Sequence, residues 1–320
     1  MKVRRALWSL AALTAIYVGA IFVVDQRRHT FDDVMTMLNG IAAVAVFAFV
    51  SYVLRYLRWR WLLRRRGHVS PWLQGFASYV AGFAFTATPG KVGELIRIRH
   101  FARMGTPGDR VFSTFIVERL IDLLTLGLMS APLAATAAGY GAGLALIAVA
   151  FIGVVALSRY SGLLYYVVRW LRRRGWSAVA RSARSLACGL REAQSLLKPT
   201  EIVVSLLLGL AAWSVVSLGF VVLLRATGHA LPWMQCLAIP PAGMLIGAAS
   251  MLPGGVGATE TSIALLLQQS GLPINVAAAV AIAFRIGTLW FAIVVGLLAT
   301  LALEVVAAAR PTSDAVASAP

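Results

Sequence analysis

Seven charged residues interrupt stretches that are otherwise apolar: Lys91, Glu94, Glu118, Arg119, Asp122, Glu260 and Arg285. A charge at mid-membrane costs about 2.5–3.5 kcal/mol on insertion scales unless it is paired or hydrated. A set this large is expected to face itself or an aqueous cleft rather than lipid. The chemistry it suits is anion recognition. A guanidinium is a planar fork that binds two oxygens at once and stays charged, which fits Arg119 and Arg285 to a phosphate. Lys91 adds a further cation. The carboxylates Glu94, Glu118, Asp122 and Glu260 would hold those cations in place or exchange protons. Glu118 and Asp122 are four apart and share a helix face, with Arg119 three before Asp122. The expected pairs are Arg119 with Glu94 or Asp122, and Arg285 with Glu260. The same set also fits structural ion pairs that only fasten neighbouring elements.

The elements that must position these charges are broken. TPGKVGE ends one apolar run and LPGGVGATE ends another. Pro89, Gly90 and Gly93 in the first, and Pro253, Gly254, Gly255 and Gly257 in the second, disrupt a helix. Broken backbone at membrane depth is tolerated only where it is buried in protein or lines a wet cavity. Helix starts after each break would aim free N–H groups at an anion. The breaks also align beyond their glycines. Eleven residues separate Glu94 from Gly105 and Glu260 from Gly271, and fourteen separate Gly105 from Arg119 and Gly271 from Arg285. The intervening spans bring the first break in from the cytoplasm and the second from outside. That predicts two re-entrant hairpins in an inverted-topology repeat, meeting near the midplane. GKVGE is not a nucleotide loop, because the Gly five positions earlier and the Ser or Thr after Lys are missing. Gly243 and Gly247 have the spacing of closely packed membrane helices.

With 60% apolar residues in a chain of 320, composition excludes an ordinary soluble domain. Charge-poor stretches at 6–24, 39–54, 124–157, 202–224 and 286–303 read as membrane spans. The expected fold is an all-α, polytopic membrane protein with one integral domain over 1–310. Repeat one is placed at about 39–130 and repeat two at about 202–304. An amphipathic cytoplasmic segment at about 158–200 and a disordered tail at 311–320 complete the division. A net charge of +17 raises the possibility of nucleic-acid binding, but its placement excludes that. Of the 29 Lys and Arg, 22 fall at MKVRR, from Arg55 to Arg66, from Arg97 to Arg110 and from Arg159 to Lys198. These segments share one side, the cytoplasmic one by the positive-inside rule, as do both termini. Trp59 and Trp61 read as part of an interfacial aromatic belt. Two cysteines and four scattered histidines form no disulfide or metal pattern, and no cofactor is implied. No nucleophile, metal or donor-nucleotide motif marks an enzyme.

The elements RYLRWRWLLRRRG, TPGKVGELIRIRHF, VERLIDLL, LPGGVGATE and FRIGTLWF occur in that order between about 50 and 295. As an ordered set they resemble the lysylphosphatidylglycerol synthase transmembrane-region proteins, also called flippase-like. The resemblance implies an integral protein of the prokaryotic cytoplasmic membrane that handles lipids. In longer members this region is thought to flip aminoacylated phospholipid made by a separate cytosolic domain. Here the longest polar loop, about 158–200, is too short for such a domain, so synthase activity is expected to be absent. The expected function is translocation of a lipid or lipid-linked headgroup, with membrane lipids (an anionic phospholipid or a lipid-linked sugar) as partners. Alternatives are a small-solute or ion transporter and an intramembrane lipid-modifying transferase.

Overall fold

The apolar runs fold as helices. The computed structural model describes residues 37–135 and 192–309, with scattered positions between 166 and 188, and no strand occurs among the described residues. Helix α1 spans Leu38–Arg64 and α2 spans Trp72–Ala81. The latter tightens into a 3-10 turn, Gly82–Phe85, before the first break. A second 3-10 segment, Pro89–Ile96, runs into the short α3, Arg97–Ala102, and then α4, Gly108–Ser130. Further along the chain come α5, Pro199–Ala226, and α6, Trp233–Ala249. The second break, Pro253–Gly255, leads into α7, Ala258–Gln269. Helix α8, Ile274–Arg285, continues through a π turn, Ile286–Trp290, into α9, Phe291–Ala308.

Among the described residues, three helices are long and apolar enough to cross a membrane: Leu38–Arg64, Pro199–Ala226 and the continuous Ile274–Ala308. Helix α4 has 23 residues, but Glu118, Arg119 and Asp122 dilute its apolar run. The expected span at 6–24, residues 136–157 of the stretch at 124–157, the tail, and most of the amphipathic segment lie outside the described residues.

Local chemistry explains where the helices stop. Gly105 and Gly271 take left-handed backbone, with φ of +76° and +96°, and end α3 and α7. Pro107 and Pro273 follow in extended conformation and start α4 and α8. The two Gly-x-Pro turns that align in sequence thus do the same local work.

Packing places the broken segments centrally. Helix α5 lies along α1, α4 lies against α5 and α6, and α6, α7 and α8 pack in succession. Helix α9 packs on α2 and on its 3-10 extension, where Gly296 sits directly on the backbone of Ala84. Gly243 and Gly247 let α6 approach Ile263 and Thr259 of α7, as their spacing predicts. The core is aromatic near the first break, where Tyr52, Tyr56, Trp59, Tyr79 and Phe83 pack together. Phe220 and Phe284 meet edge to face, with ring centroids 5.3 Å apart, at the centre of the second half. On the outside, Val46, Leu207, Leu298 and Leu301 are exposed. On membrane-spanning helices such apolar faces meet lipid. The two breaks touch each other: a Cβ added at Gly254 would lie 3.3 Å from Ala87 Cα.

Candidate functional site

Helix α4 supplies the centre of the site. Its Glu118 and Asp122 project one turn apart toward α1, which answers with Arg55 and Arg58. Arg58 Nη2 lies 2.7 Å from Asp122 and 3.4 Å from Glu118, and Arg55 Nη1 lies 3.3 Å from Asp122. The first broken segment adds Glu94, and α3 adds Arg97, which is 3.0 Å from Glu94 and 3.1 Å from Glu118. Arg119 reaches all three carboxylates, at 3.2 Å from Asp122, 3.3 Å from Glu118 and 3.9 Å from Glu94. Tyr79 donates its hydroxyl to Glu118, and Thr86 donates to Glu94 at 2.9 Å. Arg97 also donates to the Tyr79 carbonyl at 2.8 Å and lies 4.0 Å from the Tyr79 ring centroid. Four guanidiniums against three carboxylates leave this buried network cationic.

The second constellation is smaller. Arg285 Nε lies 2.9 Å from Glu260, its Nη2 donates to the Gly254 carbonyl at 2.6 Å, and its Nη1 sits 3.6 Å from the Met244 sulfur. Glu260 in turn accepts the Gly257 N–H at 2.8 Å. One side chain therefore ties the end of α8 to the break and to the start of α7.

A cavity of about 770 Å³ lies between the two constellations. Arg55, Lys91, Arg119 and Arg285 line it, against Asp122 as the lining carboxylate. Much of the rest is apolar, with Phe83, Leu126, Trp213, Val216, Leu245 and Leu289 on the wall. Lys91 makes no ion pair or side-chain hydrogen bond among the described residues. Its backbone is left-handed, with φ of +55°, in register with Gly255 of the other break at +66°.

The seven sequence-derived charges thus divide into two groups. Lys91, Glu94, Glu118, Arg119 and Asp122 gather around α4, and Glu260 pairs with Arg285. Of these, Lys91, Arg119, Asp122 and Arg285 reach the cavity, while Glu94, Glu118 and Glu260 stand behind it. Among the break residues, Gly254 and Gly255 line the cavity, and Gly93 is pressed against Phe85. Pro89 and Gly90 open the 3-10 segment that carries Lys91, and Pro253 opens the second break. Gly257 caps α7, with φ of +84°.

Two expectations need correction. Arg55, Arg58 and Arg97 were assigned to the basic inner surface, yet Arg58 and Arg97 are each 1% exposed and Arg55 is 8%. Trp59, expected in the interfacial belt, is fully buried against Tyr79 and Phe101. Side-chain type does not report depth, so a buried arginine looks like its surface neighbours. Charge balance held the missing signal: Glu94, Glu118 and Asp122 outnumber Arg119 and Lys91 and need further cations. At the second break the N–H of Gly257, the residue that caps α7, is taken by Glu260.

No curated protein matches the sequence. A family model described as the lysylphosphatidylglycerol synthase TM region matches residues 7–296, which include both breaks, both constellations and every residue named on the cavity wall. The chain therefore belongs to the lysylphosphatidylglycerol synthase transmembrane-region family.

Proposed function

We propose that this protein is a flippase-like transporter that carries a lipid or lipid-linked headgroup across a prokaryotic cytoplasmic membrane. The observation that carries the proposal is the cavity, which is lined by four cations together with a largely apolar surface. A headgroup would sit among Arg55, Lys91, Arg119 and Arg285, with acyl chains against the leucines and aromatics. Water alone would fill a polar site, and an apolar solute would not use the cations. The family's description names a membrane lipid, which supports the same reading.

The two broken segments are proposed as re-entrant hairpins of an inverted repeat, with the N- and C-termini cytoplasmic. Their mutual contact and their matching Gly-x-Pro turns support that arrangement. Alternating access would then rock one repeat against the other around the shared cavity. The role of the carboxylates is positional. Glu94, Glu118 and Asp122 each hold two or more guanidiniums, so they fix the direction of the cations. That arrangement leaves them poorly placed for general acid–base work, which favours transport over a transferase reaction.

The test is leaflet exchange of labelled phospholipids in proteoliposomes, comparing wild type with an Arg119→Ala, Arg285→Ala double variant shown to be folded by circular dichroism. Exchange by wild type and its loss in the variant is the expected result. Absence of exchange by folded wild-type protein with every headgroup tried would overturn the proposal.

A further inference from the structure

Lys91 is the cavity's odd residue. Its three fellow cations are spoken for: Arg55 by Asp122, Arg119 by three carboxylates and Arg285 by Glu260. Lys91 has no such partner among the described residues, although it lines the cavity on a segment packed against the opposite break. Its left-handed backbone suits glycine, and the matching position, Gly255, is glycine. A lysine there is strained where glycine would be relaxed, and it returns no ion pair or side-chain hydrogen bond among the described residues. Its ammonium group is free to meet a ligand.

The wall around it is cationic on balance, with four cations to one carboxylate among the described lining residues. The lining carboxylate, Asp122, is already held by Arg55, Arg58 and Arg119, so no free anion remains on the wall to receive an amine. We infer that the site selects a lipid whose phosphate is not offset by an amine, and that Lys91 is the residue that selects it. This rests on the proposed lipid-headgroup reading and narrows its substrate class. The inference runs against the lipid in the family's description. The lysyl ester of phosphatidylglycerol carries two ammonium groups beside one phosphate, and here those would meet Lys91 and Arg119 with nothing to neutralise them.

Binding tests this separately from transport. The purified full-length chain is incubated with equimolar phosphatidylglycerol and lysylphosphatidylglycerol of identical acyl chains, and bound lipid is counted by native mass spectrometry. Phosphatidylglycerol should be favoured by about tenfold or more, the scale of one charge-assisted hydrogen bond. Lys91→Gly should lose about that factor while melting no lower than wild type, and Lys91→Arg should retain binding. Equal or preferential binding of the lysyl ester overturns the inference. So does a Lys91→Gly variant that binds as wild type, or one that fails to fold, since the lysine would then be structural. Excess inorganic phosphate separates the two sources of the anion. Retained lipid assigns the site to a headgroup, whereas complete displacement by phosphate overturns the lipid assignment. If binding behaves as expected and leaflet exchange is still absent, translocation fails and the selectivity stands.

Discussion

At the scale of single residues, the half-buried Lys91 and the fully buried Arg58 show how two cations inside a membrane protein can have opposite meanings. Arg58 is fully enclosed and bonded to Asp122 and Glu118 but does not line the cavity. Arg58→Met should lower stability by about 3 kcal/mol, because it leaves two buried carboxylates short of a partner. A thermal melt in detergent would register that loss, and a melting temperature equal to wild type would remove Arg58 from the framework. Lys91→Gly should instead gain on the order of 1 kcal/mol by relieving left-handed strain. The sequence made half of this visible. Glu118 and Asp122 stand out because a carboxylate in an apolar helix has few explanations. Arg55 and Arg58 do not, because they precede Arg64, Arg65 and Arg66 in one basic run and share its composition.

At the scale of elements, close approaches of backbone decide what the breaks tolerate. A Cβ at Gly93 would lie 2.6 Å from the Phe85 carbonyl oxygen, and one at Gly296 would clash with the Ala84 backbone. Gly93→Ala and Gly296→Ala should each cost about 1–3 kcal/mol through overpacking. Melting temperatures within error of wild type would mean that these contacts can relax. Pro and Gly made both breaks legible, since each disrupts a helix for a known reason. The 3-10 turn Gly82–Phe85 and the π turn Ile286–Trp290 were not legible. Both lie in apolar runs whose pattern is indifferent to whether a carbonyl bonds three, four or five residues on. The π turn follows Arg285 directly and accepts a hydrogen bond from Tyr52 of α1 at the Thr288 carbonyl, 3.4 Å away.

At the scale of the whole molecule, the exposed apolar faces and the buried charges invert the arrangement of a water-soluble protein. Leu301 on α9 is 63% exposed, while Arg285 in the same continuous helix is 1% exposed. Val294, also exposed and nearer the middle of that helix, gives the test: Val294→Arg should cost about 2.5–3.5 kcal/mol at insertion and lower the yield in the membrane fraction. An unchanged yield would mean that this face does not meet hydrocarbon. Hydropathy reported that such helices exist, since composition alone separates a span from a soluble helix. Which face of each helix meets lipid came only from packing, because the spanning helices are apolar on all sides. On the exposed surface, Glu304 meets Arg99 and Arg103 at 3.3 and 3.2 Å. Glu304→Gln should change stability by less than about 1 kcal/mol, because exposed pairs are screened. A large drop in melting temperature would identify that contact as a fastening between α3 and α9.

The three spanning helices contain 27, 28 and 35 residues. At about 1.5 Å per residue, each exceeds a hydrocarbon core of about 30 Å by roughly 10 Å or more. Such lengths are accommodated by tilt or by ends that stand clear of the acyl chains. Spare length lets the same helices follow the bilayer in both directions: longer acyl chains are met by standing them more upright, and a thinner bilayer by tilting them further. The thickness of the host membrane is thus a variable in its own right, and it sets the angle at which α1, α5 and α9 stand in the lipid.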